Sequence, residues 1–194
     1  MSFYPTSNHI GHLVAEKHLA KLCKEKGWRI ENCNNYYDTM AQKEICQIIH
    51  DFSEDALRIR SQPDKRIFTK TGIKTIDLKS TVREDTGNIA IELSSYYFSW
   101  KLYNSLFAYI SNGELRFFSP KDNDPHTIIL QPKWLNNKFF DKAITELKNK
   151  NPYIKIWNID TEGSGDPFVL LQKNEINPYL DLTQQTKLHL ERKG

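Results

Sequence analysis

Lys74-Thr75-Ile76-Asp77-Leu78-Lys79-Ser80-Thr81 alternates polar and apolar residues at every step of its middle section. That period of two is the mark of a β-strand, in which residues two apart share a face. Ile76 and Leu78 are then expected toward the core, with Asp77 and Lys79 projecting together on the other side. An acid and a lysine fixed side by side on a rigid strand is an arrangement with chemical potential, and the rest of the chain is read outward from it.

Upstream, Thr71-Gly72 is a turn signal, and Arg66 to Lys70 reads as the partner strand of a hairpin with Ile73 to Thr81. Pro63-Asp64 stands just before it, in the break Ser61-Gln62-Pro63-Asp64. Asp64 precedes Asp77 by a hairpin-length connection, so pairing of the two strands returns it to the neighbourhood of Asp77. Ala56 to Arg60 alternates apolar and basic residues and is expected to be a half-buried strand. Thr39 to Phe52 and His9 to Lys26 carry apolar residues at helical spacing, the latter closed by Gly27. Trp28 to Tyr37 is a short extended segment between them.

Downstream, Arg83 to Asn88 is a polar turn. Asn88 to Leu93 is expected to be a strand buried on both faces. Ser94 to Phe107 is aromatic-rich and read as helix. Ala108 to Ile110 and Glu114 to Phe118 form a hairpin around Ser111-Asn112-Gly113. His126 to Gln131, Tyr153 to Ile159 and Phe168 to Lys173 are strands, Asn136 to Lys150 is a helix, and Asp181 to Gly194 is a polar tail. The expectation is one domain of α/β or α+β class, a central mixed sheet with helices on its faces.

The bulk numbers agree with that class. The chain has 194 residues, 39% hydrophobic and 26% charged, enough for a sizeable core. No apolar run is long enough to span a bilayer, and no secretory signal is expected, since Met1 to His12 has no basic region followed by an apolar stretch. Three cysteines, Cys23, Cys33 and Cys46, lack metal-type spacing, and a reduced cytoplasmic chain is expected. Net charge is only +3, but Arg58 to Lys79 holds Arg58, Arg60, Lys65, Arg66, Lys70, Lys74 and Lys79 against Asp64 and Asp77 alone. Such a basic stretch suits a polyanion, and Arg58, Arg60, Lys65 and Arg66 are the candidate DNA contacts. A lysine-protected hairpin edge has the same composition.

Two carboxylates and a lysine suit metal-assisted phosphodiester hydrolysis. Hard oxygen ligands hold Mg²⁺, and an ammonium contacts the scissile phosphate. Pro63-Asp64 followed by Asp77-Leu78-Lys79 resembles the PD-(D/E)xK nuclease superfamily, which includes many restriction endonucleases, Holliday junction resolvases and repair nucleases. The resemblance covers about Leu57 to Leu93. It implies a restriction endonuclease-like core, with Asp64 and Asp77 as metal ligands, Lys79 as the catalytic lysine, Mg²⁺ (or Mn²⁺) as cofactor, and DNA as partner. It also implies a homodimer, since two antiparallel strands must be addressed. A restriction-type, mobile-element or phage endonuclease is the reading; a non-catalytic DNA-binding module of the same fold is its alternative.

A second frame takes Asp77 as the earlier acid and Glu92 as the later one, but puts Ser94 where lysine belongs. Asp64, Asp77 and Lys79 are therefore preferred, with Glu92 as an additional metal ligand beside Asp77. Family members often add a helix acid, for which Glu16, Glu44 and Glu54 are candidates. The six histidines and Gly163-Ser164-Gly165 carry no convincing motif. The aromatic run Tyr96 to Tyr103 is read as core in preference to base stacking.

Overall fold

A computed structural model describes residues 7–33, 44, 47, 51–79, 87–111, 113–122, 127–160, 166–179 and 182. The fold is α+β. Helix α1 (Ser7–Lys26) leads into a sheet of β1 (Arg29–Asn32), β2 (Lys65–Thr69), β3 (Gly72–Leu78), β5 (Leu106–Ser111) and β6 (Glu114–Phe118), in the order β1-β2-β3-β5-β6. Its neighbours are antiparallel except β3 and β5, which run parallel. A parallel pair needs a crossover. Here the crossover carries β4 (Asn88–Glu92), α3 (Leu93–Phe98) and a π-helical turn, Ser99–Tyr103.

The expected mixed sheet flanked by helices is thus present, and a second mixed sheet accompanies it. That sheet has the order β4-β9-β7-β8, where β7 is Thr127–Pro132, β8 Lys155–Ile159 and β9 Phe168–Gln172. Helix α4 (Lys138–Lys150) connects the parallel β7 and β8. Asn137 caps α4, its side chain accepting the Phe139 and Phe140 N–H groups.

Two apolar clusters hold these layers. On one face of the first sheet, Ala15, Leu19 and Cys23 of α1 meet Ile67, Ile76, Leu78, Leu106 and Ala108. On the other, Phe107, Tyr109 and Phe118 meet Ile89, Ile91 and Val169 of the second sheet together with α3 and α4. The alternation of β3 sends Ile76 and Leu78 into the first cluster, as read from the sequence. Asp77 faces the second, and its register partner on β5 is Phe107.

Three expectations fail. Ala56 to Arg60 is helical, part of α2 (Glu54–Arg60): Ser53 accepts the Ala56 N–H and Glu54 and Asp55 fill the first turn, so capping overrides the local alternation. Strand β4 is buried on one face only, with Ile89 and Ile91 inward and Asn88, Ala90 and Glu92 exposed. The helix read over Ser94 to Phe107 ends at Tyr103, because Asn104 takes a left-handed conformation (φ 51°) and turns the chain into β5. Most of Thr39 to Phe52, along with Cys46, His50, His126, the Gly163-Ser164-Gly165 turn and nearly all of Asp181 to Gly194, lies outside the described residues. No helix among the described residues is long and apolar enough to cross a membrane.

Candidate active site

Strand pairing brings Asp64 and Asp77 together. The β2–β3 register matches Lys65 with Ile76 and Arg66 with Thr75. One step further puts Asp64 opposite Asp77. Pro63 has no N–H and cannot continue the ladder. Where the ladder stops, the Leu78 N–H donates to the Asp64 side chain, at Oδ2, 2.7 Å away. The Asp64 backbone is fixed from the other side, where its carbonyl accepts the Cys33 N–H at 2.9 Å.

Lys79 lies just past the end of β3, yet it remains extended because its N–H donates to the Ala108 carbonyl at 2.8 Å. Its Nζ is 2.8 Å from Asp77 Oδ1 and 3.9 Å from Glu92 Oε2. It also stands 5.6 Å from the Phe107 ring centroid, a cation–π contact. Glu92 comes from the second sheet, at the end of β4, where Ser95 Oγ donates to its carboxylate at 3.2 Å. Asp64, Asp77, Lys79 and Glu92 therefore converge where the two sheets meet.

The electrostatics of this group are set by burial. The Asp77 side chain is only 6% exposed and that of Lys79 15%. Desolvation pushes the Asp77 carboxyl up to about 7, against the pull of the Lys79 ammonium, and the charges of Asp64 and Glu92 push the same way. Burial alone would lower the Lys79 ammonium. The carboxylates of Asp77, Glu92 and Asp64 outweigh it and hold Lys79 well above the ordinary lysine range. An acid under such repulsion is suited to a cation. Mg²⁺ needs only one or two protein carboxylates because it retains waters and takes phosphate oxygens, so Asp64 and Asp77 fit it. Among the described residues, no cluster of three or more His, Cys, Asp or Glu side chains is built to hold a metal by itself.

The remaining candidates separate. Ser94 is buried within α3, two residues past Glu92. Glu16 reaches Lys65 from α1, and that hydrogen bond holds its carboxyl below the usual range. Lys65 pairs in register with Ile76, so this contact lies on the α1 face, opposite Asp77. Glu54 pairs with Lys142 on α4, and Glu44 is an exposed helical residue.

The four candidate DNA contacts also divide. Lys65 bonds to Glu16 and to Asn32 Oδ1. Arg60 forms a mostly buried ion pair with Asp166, Nη2 to Oδ1 3.5 Å, and neither side chain is more than 16% exposed. Arg58 and Arg66 are exposed. The Arg60–Asp166 pair was not foreseen from sequence. It links the segments that carry Asp64 and Glu92, because Arg60 precedes Asp64 by four residues while the adjoining Pro167 carbonyl accepts the Leu93 N–H beside Glu92. The sequence offered only an arginine ending one element and an aspartate following a glycine-rich turn about a hundred residues on, which no spacing rule links.

Comparison of the chain with protein-family models, with curated proteins and with solved structures returns no match.

Proposed function

We propose that this chain is a Mg²⁺-dependent DNA endonuclease of the PD-(D/E)xK kind, with Asp64 and Asp77 as metal ligands and Lys79 as the catalytic lysine. The observation that carries this reading is the meeting of all three residues at the paired ends of β2 and β3, with Lys79 Nζ 2.8 Å from Asp77. The five-stranded mixed sheet beneath them is of the type the resemblance implies.

Bound Mg²⁺ would supply Lewis acidity and a lowered pKa for its water. The chain's own residues do the rest. Asp64, anchored by the Leu78 N–H, keeps its carboxylate at a fixed distance from Asp77. Asp77, buried and repelled by Asp64 and Glu92, would hold the cation together with Asp64. Lys79, kept protonated by three acids, directs its ammonium at charge that develops on a phosphate oxygen. Glu92 is 3.9 Å from Lys79 and half exposed, so it fits the role of orienting that ammonium from the open side better than that of an enclosed ligand. Exposed Arg58 and Arg66 are the phosphate contacts we retain; Arg60 and Lys65 belong to internal ion pairs.

The test is cleavage of supercoiled plasmid with Mg²⁺, with Mn²⁺ and with EDTA, by wild type and by Asp77→Asn. Metal-dependent nicking lost in the variant is the expected result. A well-folded wild type that retains DNA but never cuts it would instead favour a non-catalytic DNA-binding module.

A further inference from the structure

The face of the first sheet that carries Asp77 extends past the site. Register across β1, β2 and β3 sorts its residues into three rows. The first row is Cys33, Asp64 and Asp77, one step beyond the paired residues. The second is Glu31, Arg66 and Thr75, and the third is Arg29, Phe68 and Ile73. Alternation puts all three rows on the same face.

The third row is not built like a core. Arg29 is exposed, and its guanidinium lies 3.9 Å from the centroid of the Phe68 ring. Ile73, beside Phe68, is 60% exposed. An arginine plane on a phenyl ring next to an open aliphatic side chain is a flat, stackable surface with a positive charge. Nucleobases take to such surfaces whatever their sequence, whereas a base pair inside a duplex keeps both its faces stacked and cannot use them. The second row sets exposed Arg66 between this platform and the acids, where a phosphate linking the two would pass.

We infer that this row is a stacking platform for unpaired nucleotides flanking the cut, so that the substrate is DNA with a single-stranded tail, flap or frayed segment beside the scissile phosphate. The inference rests on the nuclease reading for the position of the cut, and names its substrate class. The distance is consistent. Four residues along β3 from Asp77 to Ile73 span about 13 Å. That is about four nucleotide steps at the stacked rise of roughly 3.4 Å per strand. Arg29 Nε pairs with Glu31 Oε1 at 3.3 Å, so the second and third rows set Arg29 and Arg66 against Glu31, a small excess of positive charge continuous with the site on the same strands.

The experiment measures binding and cutting separately, on a blunt duplex and on the same duplex with a single-stranded tail. Fluorescence anisotropy in EDTA compares wild type, Phe68→Ala, Arg29→Ala and Ile73→Ser. Ile73 is exposed enough for its variant to fold whatever becomes of the Phe68 variant. Wild type is expected to prefer the tailed duplex by about tenfold, from stacking of one or two bases. The variants should lose that preference and keep their affinity for the blunt duplex. Equal binding of the two ligands by wild type, absence of binding to either, or an equal loss on both in the variants overturns the platform. Cleavage with Mg²⁺ distinguishes its failure from that of the nuclease reading. Cutting of both duplexes without a tail preference removes the platform and leaves the nuclease; a tail preference in EDTA without any cutting does the reverse.

Discussion

Asp64 Oδ2 accepts the backbone N–H of Leu78 at 2.7 Å, so one carboxylate both completes a β-ladder and faces the buried Asp77. Its two roles can be separated by substitution. Asp64→Ala leaves the Leu78 N–H without its acceptor, and an unsatisfied buried donor costs about 1–3 kcal/mol. Asp64→Asn retains an amide oxygen for that bond and removes the charge. We expect a lower denaturation midpoint for Asp64→Ala, a near-normal one for Asp64→Asn, and no cleavage by either. Equal midpoints would mean that the bond adds nothing to the fold.

Lys79→Ala should lower the cleavage rate by two to three orders of magnitude, equivalent to about 3–4 kcal/mol of transition-state stabilisation. Ser94→Ala, buried in α3, should cut at nearly the wild-type rate. Single-turnover rates of the two purified variants are the check. The opposite ranking would transfer the chemistry to the frame of Asp77, Glu92 and Ser94.

The metal-free protein should lose stability as pH rises from about 4 to about 7. In the folded chain Asp77 keeps its proton to about 7, whereas an unfolded aspartate releases it near 4. Between those values the folded state binds more protons than the unfolded, so each step up in pH favours unfolding. Asp166, which burial pushes up to about 6 against the pull of Arg60, adds the same trend over the lower part of the window. In Asp77→Asn the decline should therefore end near pH 6. Urea midpoints from pH 4 to 8 in EDTA test this, and parallel curves for wild type and variant would contradict it.

Charge reversal at Arg58 or Arg66 should weaken DNA binding and flatten its dependence on salt, because fewer counterions are released. Substitution of Lys65 should instead lower thermal stability, since it removes the link from β2 to Glu16 of α1 and to Asn32 of β1. Arg60→Ala should do so as well, by leaving Asp166 buried without its ion-pair partner. Duplex titrations at three salt concentrations and a melting curve for each variant separate the groups. Loss of binding by a Lys65 variant of unchanged stability would reopen the α1 face as a DNA surface.

The strands that build the site could be read in advance because their information is local. Ile76 and Leu78 alternate with Asp77 and Lys79, and Thr71-Gly72 fixes the hairpin that carries Asp64 back. What escaped depends on distant packing. Glu92 was expected beside Asp77, yet the stacking of the second sheet on the first that brings it to Lys79 is declared by nothing within Asn88 to Leu93. Arg60 and Lys65 looked like free cations, since their acids, Asp166 and Glu16, lie far off in sequence. The misread α2 is a different failure: Ser53 with Glu54 and Asp55 was a legible helix start, outweighed by a five-residue alternation.

The position of β4 at the edge of its sheet has a consequence for synthesis. Among the described residues β4 hydrogen-bonds only to β9, Phe168–Gln172, about eighty residues later. On the ribosome, α1 and the β2–β3 hairpin emerge before β4 and bring Asp64, Asp77 and Lys79 with them. Glu92 has no strand to lie on until β9 has left the exit tunnel, and neither does the Arg60–Asp166 brace have its acid. The Lys79–Glu92 contact and the Arg60–Asp166 brace therefore form only after about eighty further residues of synthesis, whereas Asp64 and Asp77 are brought together by local strand pairing.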